Sequence, residues 1–181
     1  MENNFEYLLF VAVLALMARE YRRGREVVRS DATIQLKGNE RFRTITSQVL
    51  DPVFAVAVVG SILLTDLEHS PSHWVAALVG AAAGYAFGAY RARITFVASV
   101  PAHKGMILRY SLETVVTLAL LVIIKLVAER DLLPEGGIFR LVIAGLLGLL
   151  LVESAARVLT LVRYYRRDEA AAVTASQPGG V

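Results

Sequence analysis

Residues 79–93 read VGAAAGYAFGAYRAR, with Gly80, Gly84 and Gly88 at four-residue intervals and Arg91 and Arg93 closing the run. A glycine inside a soluble helix costs about 1 kcal/mol against alanine, so three in series need a compensating contact. Residues four apart share one helix face. Ala76, Gly80, Gly84, Gly88 and Ala92 therefore form a ladder of small residues. In lipid, where apolar side chains gain little by meeting, such a face lets two helix backbones approach and pack. The stretch predicts a membrane helix with this face against a second helix, from the same chain or from a partner. Arg91 and Arg93 read as the charged stop at its inner end. A phosphate-cradling loop is a poor alternative, because the run lies within an apolar block and lacks the lysine and Ser/Thr of that motif.

The rest of the chain extends this reading. Of 181 residues, 56% are hydrophobic and the mean hydropathy is +0.55, too apolar for an ordinary soluble domain. The apolar residues fall into blocks near 5–18, 49–65, 74–90, 112–128 and 138–162. A span needs about 20 mostly apolar residues, so the first two blocks are short or tilted. The expected fold is an all-α integral membrane protein of five transmembrane helices, one domain over residues 1–167. A disordered cytoplasmic tail is expected over 168–181.

Charge placement orients the expected spans. Arg19, Arg22, Arg23, Arg25, Arg29, Lys37, Arg41 and Arg43 follow the first block. Arg91, Arg93, Lys104 and Arg109 follow the third, and Arg163, Arg166 and Arg167 follow the fifth. These are alternate segments, and the intervening ones, DLEHSPSH and ERDLLPEGG, are short and acidic. The positive-inside rule then puts the N-terminus outside and the C-terminus in the cytoplasm of a bacterial-type plasma membrane. The opening MENNFEY has two acids and no base, the reverse of a cleaved signal's n-region. Trp74 with Tyr90, and Tyr164 with Tyr165, read as interface anchors.

Two inner segments need separate reading. Residues 19–48 suggest a basic helix continuing the first span, then an irregular stretch, with Asp51-Pro52 as cap and first position of the next helix. Residues 94–97 and 106–108 are β-prone and are separated by a turn from Pro101 to Gly105, a hairpin signal between the third and fourth helices.

Few side chains suggest chemistry. There is no cysteine, which removes disulfides, thiol catalysis and thiolate metal sites. Glu153 and Arg157 are four apart on the fifth block and predict a pair on one helix face. Glu113, near the inner end of the fourth block, is placed to approach Arg157 or Arg91. Charges inside a membrane are costly and mark functional sites, or pair structurally. Lys125 and Arg140 snorkel outward in the plainer reading. His69 and His73 are four apart near Asp66 and Glu68, but Ser70, Pro71 and Ser72 break the helix that a metal pair needs. His103, in the turn, is expected to be solvated. The run Arg19, Arg22, Arg23 and Arg25 sits just inside a span, so lipid headgroups suit it better than nucleic acid. No metal, cofactor or catalytic motif is expected.

From about residue 74 to 167 the layout resembles the CcdC-like bacterial membrane proteins. The matching features are the span AALVGAAAGYAFGAY with its exit RAR, the insert ITFVASVPAHKGMILRYS, the block TVVTLALLVIIKLV, a Gly-containing outer loop, and a last block ending RYYRR. The resemblance implies a fold and transfers no catalytic residue. Two function classes follow from the residues. One is a non-catalytic accessory or scaffold subunit, with other membrane subunits or a second copy as partner. The other is a small oligomeric transporter or channel using Glu113, Glu153 and Arg157.

Overall fold

Two parallel helices form the spine of the structure, a computed structural model that describes residues 3–68, 70–109 and 137–176. In chain order the elements are α1 (Asn3–Ser30), β1 (Glu40–Thr44), α2 (Ile45–Leu67), α3 (Pro71–Thr95), β2 (Phe96–Val100), a 3-10 turn (Pro101–His103), β3 (Gly105–Arg109) and α4 (Gly137–Ser176). Along the spine, Gly80 faces Gly145, Gly84 faces Leu149 and Gly88 faces Glu153, so α3 and α4 advance together. Helix α2 runs the other way along α4. Its Val59 joins Leu147 and Leu150 in one core cluster, while Ile45, at its start, packs beside Leu161.

Local chemistry sets the helix starts. Ser70 caps α3, its hydroxyl accepting from the Ser72 N–H at 3.3 Å, and Pro71 takes the first helical position. The α2 start differs from the expected Asp51-Pro52. Thr44 Oγ1 accepts from the Ser47 N–H at 3.2 Å, which is N-cap geometry. The helix is thus already under way when it reaches Asp51, and Pro52 lies inside it. Proline there removes the backbone bond to the Gln48 carbonyl.

The sheet has the order β1-β3-β2, with both pairings antiparallel. Strands β2 and β3 are joined through Lys104, whose φ of 47° is left-handed. Strand β1 adds on the far side of β3, with Glu40 opposite Arg109 and Thr44 opposite Gly105. Met106 and Leu108 point into a cluster with Ala92 of α3 and Leu161 and Tyr165 of α4. The sheet therefore closes the C-terminal end of the spine.

The five-span all-α reading is corrected here. The described residues form four α-helices and one three-stranded antiparallel sheet. Among them a single segment, Arg140–Ala171 of α4, is long and apolar enough to cross a membrane; its most apolar 18 residues have a mean hydropathy of 2.0. Helix α1 runs without a break from the first block into a basic second half. The apolar stretch found in α2 among the described residues, Ile45–Ala57, is shorter than the about 20 residues of a span. In α3 the glycines, His73, Trp74, Tyr85 and Tyr90 dilute the hydropathy below that of a span. The fourth block, with Glu113 and Lys125, lies outside the described residues. The two-stranded insert is replaced by a three-stranded sheet, because ERFRT at 40–44 supplies β1 from a stretch read as irregular.

The C-terminal expectations also change. Helix α4 runs to Ser176, so residues 168–176 are helical, in keeping with the alanines of DEAAAVTAS. Tyr165 is 5% exposed in the sheet–helix core, and the Tyr164 ring lies 5.4 Å from that of Phe96. Both tyrosines pack against the sheet end of the spine.

Candidate functional site

The small-residue face of α3 is filled by α4. A Cβ at Gly80, Gly84 or Gly88 would overlap the carbonyl oxygens of Gly145, Leu149 and Glu153 respectively. Ala76 lies against Gly145, and Gly148 lies so close to Ala77 that a side chain there would strike its carbonyl. Glycines thus come from both helices, and Gly145 and Gly148 are partners that the sequence reading missed. Their signal was weak, because IAGLLGLLL looks like any apolar run with glycine in it.

At the end of this ladder lies a buried group of charges. Arg91 Nη1 donates to Glu153 Oε1 at 2.7 Å, joining α3 to α4. Arg91 is 1% exposed, among the largest fully buried side chains of the described residues. The expected Glu153–Arg157 pair on one helix gives way to this contact between helices. Arg157 lies within electrostatic range of Asp51 on α2, and also of Arg91, Glu153 and Arg43. Arg43 of β1 reaches Asp51 at 3.7 Å. Two carboxylates therefore face three guanidinium groups where α2, α3, α4 and β1 meet.

This group is incompletely hydrogen-bonded. Gln48 is fully buried one turn before Asp51 on α2, and neither amide atom has a hydrogen-bond partner among the described residues. Arg157 Nε is in the same condition. Burying such atoms costs about 1–3 kcal/mol each. The arrangement fixes α3 on α4 and stores polar capacity at the junction. It has no nucleophile, and the described residues contain no cluster of three or more metal-ligating side chains.

The remaining candidates lie elsewhere. Arg19, Arg22, Arg23 and Arg25 are all exposed on the second half of α1. Arg23 lies 3.8 Å from Glu20, and the Arg25 guanidinium sits 5.9 Å from the Tyr21 ring centre. Glu113 and His69 lie outside the described residues, and His73 is buried near the start of α3. His103, expected in solvent, instead meets Asp31 at 2.8 Å and ties the β2–β3 turn to the end of α1. Asp31 also accepts from the Thr33 hydroxyl at 2.6 Å and the Thr33 N–H at 2.9 Å. The Thr33 side chain, then His103, holds the Asp31 carboxyl down at about 2.

Arg91 is the functional-site residue that the sequence reading misjudged most. As a charged stop it should face water. Helical period gave a signal: position 91 falls eleven residues after Gly80 and three after Gly88, on the ladder's own face. No protein-family model, no curated protein and no solved structure matches this chain. The likeness to CcdC-like proteins rests on order and spacing alone.

Proposed function

We propose that the protein is a non-catalytic accessory or scaffold subunit of a bacterial plasma-membrane assembly. In this reading α4 crosses the bilayer and α3, packed along it, lies in the same apolar layer. The sheet end of the spine faces the cytoplasm, because Arg163, Arg166 and Arg167 of α4 lie there. The observation that carries the reading is the division of α3 into two faces. Its glycines are taken up by α4, while Val75, Leu78, Val79 and Phe87 are left exposed, bracketed by exposed Trp74 and Tyr90. A contiguous apolar face of this kind marks contact with lipid or protein. The partner surface of this reading is therefore the side of α3 away from its glycines.

The test is photo-crosslinking in cells from a benzophenone amino acid at Leu78, with the same probe at Arg22 as control. Recovery of one discrete membrane protein from position 78 alone supports the subunit reading. Lipid-only adducts at 78 in intact membranes sink it.

The buried charges favour a second reading, a small transporter. Its support is the incompletely bonded group around Arg91, Glu153, Arg157 and Gln48. Glu153→Gln, which keeps an acceptor oxygen for Arg91, should abolish flux in liposomes at a temperature where the variant is still folded; loss of stability alone makes the group structural.

A further inference from the structure

Between α1 and the strand β1 lies a cavity of about 660 Å³ that neither function reading uses. Its apolar wall is made by Met17, Tyr21, Val28, Leu36 and Phe42. Three of these come from one face of α1, since 17, 21 and 28 repeat at helical spacing. Gly24 lies between them and is buried against Phe42, so the helix approaches the strand closely there and the space opens to either side.

The polar lining is strongly basic. Arg25, Arg29, Arg41 and Arg43 all contribute to it. The acid of the wall, Glu20, is already engaged: it accepts from the Thr44 hydroxyl at 2.7 Å and lies 3.8 Å from Arg23. Arg43 is committed to Asp51. Arg25 and Arg29 have no acidic group within ion-pair distance among the described residues. Arg25 lies instead over the Tyr21 ring. The cavity thus joins an apolar wall to a pair of guanidinium groups with no ion-pair partner among the described residues.

That pairing selects a class of ligand. A guanidinium presents a fork of donors that matches the oxygens of a phosphate. An apolar wall beside it takes hydrocarbon, and the volume falls within the range that encloses most of a small ligand. A free phosphate would use the arginines and leave the wall empty; a neutral hydrocarbon would do the reverse. We infer that this cavity is a binding site for one anionic phospholipid, its phosphate held by Arg25 and Arg29 and the start of an acyl chain laid along Tyr21, Val28 and Phe42. The inference rests on the membrane location proposed above, and it turns part of α1 from a generally basic surface into a specific lipid seat.

The experiment counts bound lipid by native mass spectrometry on the full chain in mild detergent, with dioleoyl-phosphatidylglycerol or dioleoyl-phosphatidylcholine added. One phosphatidylglycerol per chain should survive, at least about tenfold tighter than phosphatidylcholine, the equivalent of one charge-assisted contact. Arg25→Gln with Arg29→Gln should lower its affinity at least about tenfold. Arg166→Gln with Arg167→Gln, which removes two exposed charges of α4 outside the cavity, should leave it unchanged. Val28→Trp, which fills the space without touching charge, should prevent retention.

Equal loss from both arginine pairs overturns the proposal, as does equal retention of phosphatidylcholine. If inorganic phosphate at the same concentration protects the protein against heat as well as the lipid does, the site takes the anion alone and the lipid proposal fails. Extraction of membranes with alkaline carbonate separates this inference from the one beneath it. Protein that resists extraction but holds no phosphatidylglycerol refutes the lipid seat only. Protein that is washed off yet binds lipid refutes the membrane location only.

Discussion

Arg91 and Glu153 meet at 2.7 Å across the α3–α4 interface, with side chains 2% and 5% exposed. A buried pair is a poor source of net stability, yet losing one partner is expensive, about 3–5 kcal/mol, because the other charge stays buried. Arg91→Leu and Glu153→Leu should therefore each lower the melting temperature sharply. The double variant should recover much of the loss, with Arg157 still facing Asp51. Thermal unfolding of all four proteins in one detergent checks this. A double variant as unstable as the sum of the singles would show that each charge acts through other neighbours.

Glycine substitutions should divide by position. At Gly84 a new Cβ meets the Leu149 carbonyl, a backbone atom that cannot move alone. Gly84→Ala should cost about 1–3 kcal/mol, the usual penalty for overpacking. Gly60 of α2 is helical too, but a Cβ there meets Val56 Cγ1 at 3.6 Å, an ordinary contact. Gly60→Ala should raise stability by about 0.5–1 kcal/mol through helix propensity. Melting curves of the two variants should move in opposite directions.

Thr44 does two jobs, capping α2 through Ser47 and donating its hydroxyl to Glu20 of α1. Thr44→Val removes both with little change in volume. A lost cap costs about 0.5–2 kcal/mol. Hydrogen exchange should accelerate at the Ser47 amide and its neighbours before it does in the middle of α4. Uniform acceleration along the chain would mean that Thr44 acts on global stability and not on the start of α2.

The Asp31 contact gives a signed dependence on pH. Its folded carboxyl is held at about 2, below the ordinary 3.8, by bonds from Thr33 and then His103. A depressed carboxyl contributes its full stability above 3.8 and loses it as pH falls through about 2. Asp31→Asn should melt below the wild type near neutral pH, and the gap should close as pH drops across that window. Thr33→Val should narrow the window more than His103→Asn, because it removes the 2.6 Å hydroxyl bond, the largest cause of the depression, while the Thr33 N–H bond survives. A gap that is constant down to pH 2 would refute the assignment.

How far residues alone carry the fold depends on which level they speak to. The four-residue spacing of Gly80, Gly84 and Gly88 pointed to close helix contact, and α4 supplies that contact. The β-prone runs around Pro101 lie close to β2 and β3. What failed was counting. Each apolar block reads as a span by itself, whereas the glycine face of α3 is taken up by packing against α4, a use that composition does not distinguish from crossing a membrane. β1 was illegible because ERFRT is short and charged, and its strand character comes from pairing with β3 and from burial of Phe42. Arg91 was misread because a charge after an apolar run is usually a stop. Only the position of Glu153, set by tertiary packing, makes it an interior residue.

The separation of that pair along the chain has a consequence for synthesis. Arg91 and Glu153 are 62 residues apart. At about 5–20 residues per second, α3 emerges some 3–12 s before its acidic counterpart has been translated. Throughout that interval the nascent chain carries a bare glycine face ending in a cation. Whatever shelters that surface in the cell, whether insertion machinery, lipid headgroups or a waiting subunit, has first claim on it. The order of translation therefore gives an early companion a chance to bind before α4 arrives to displace it.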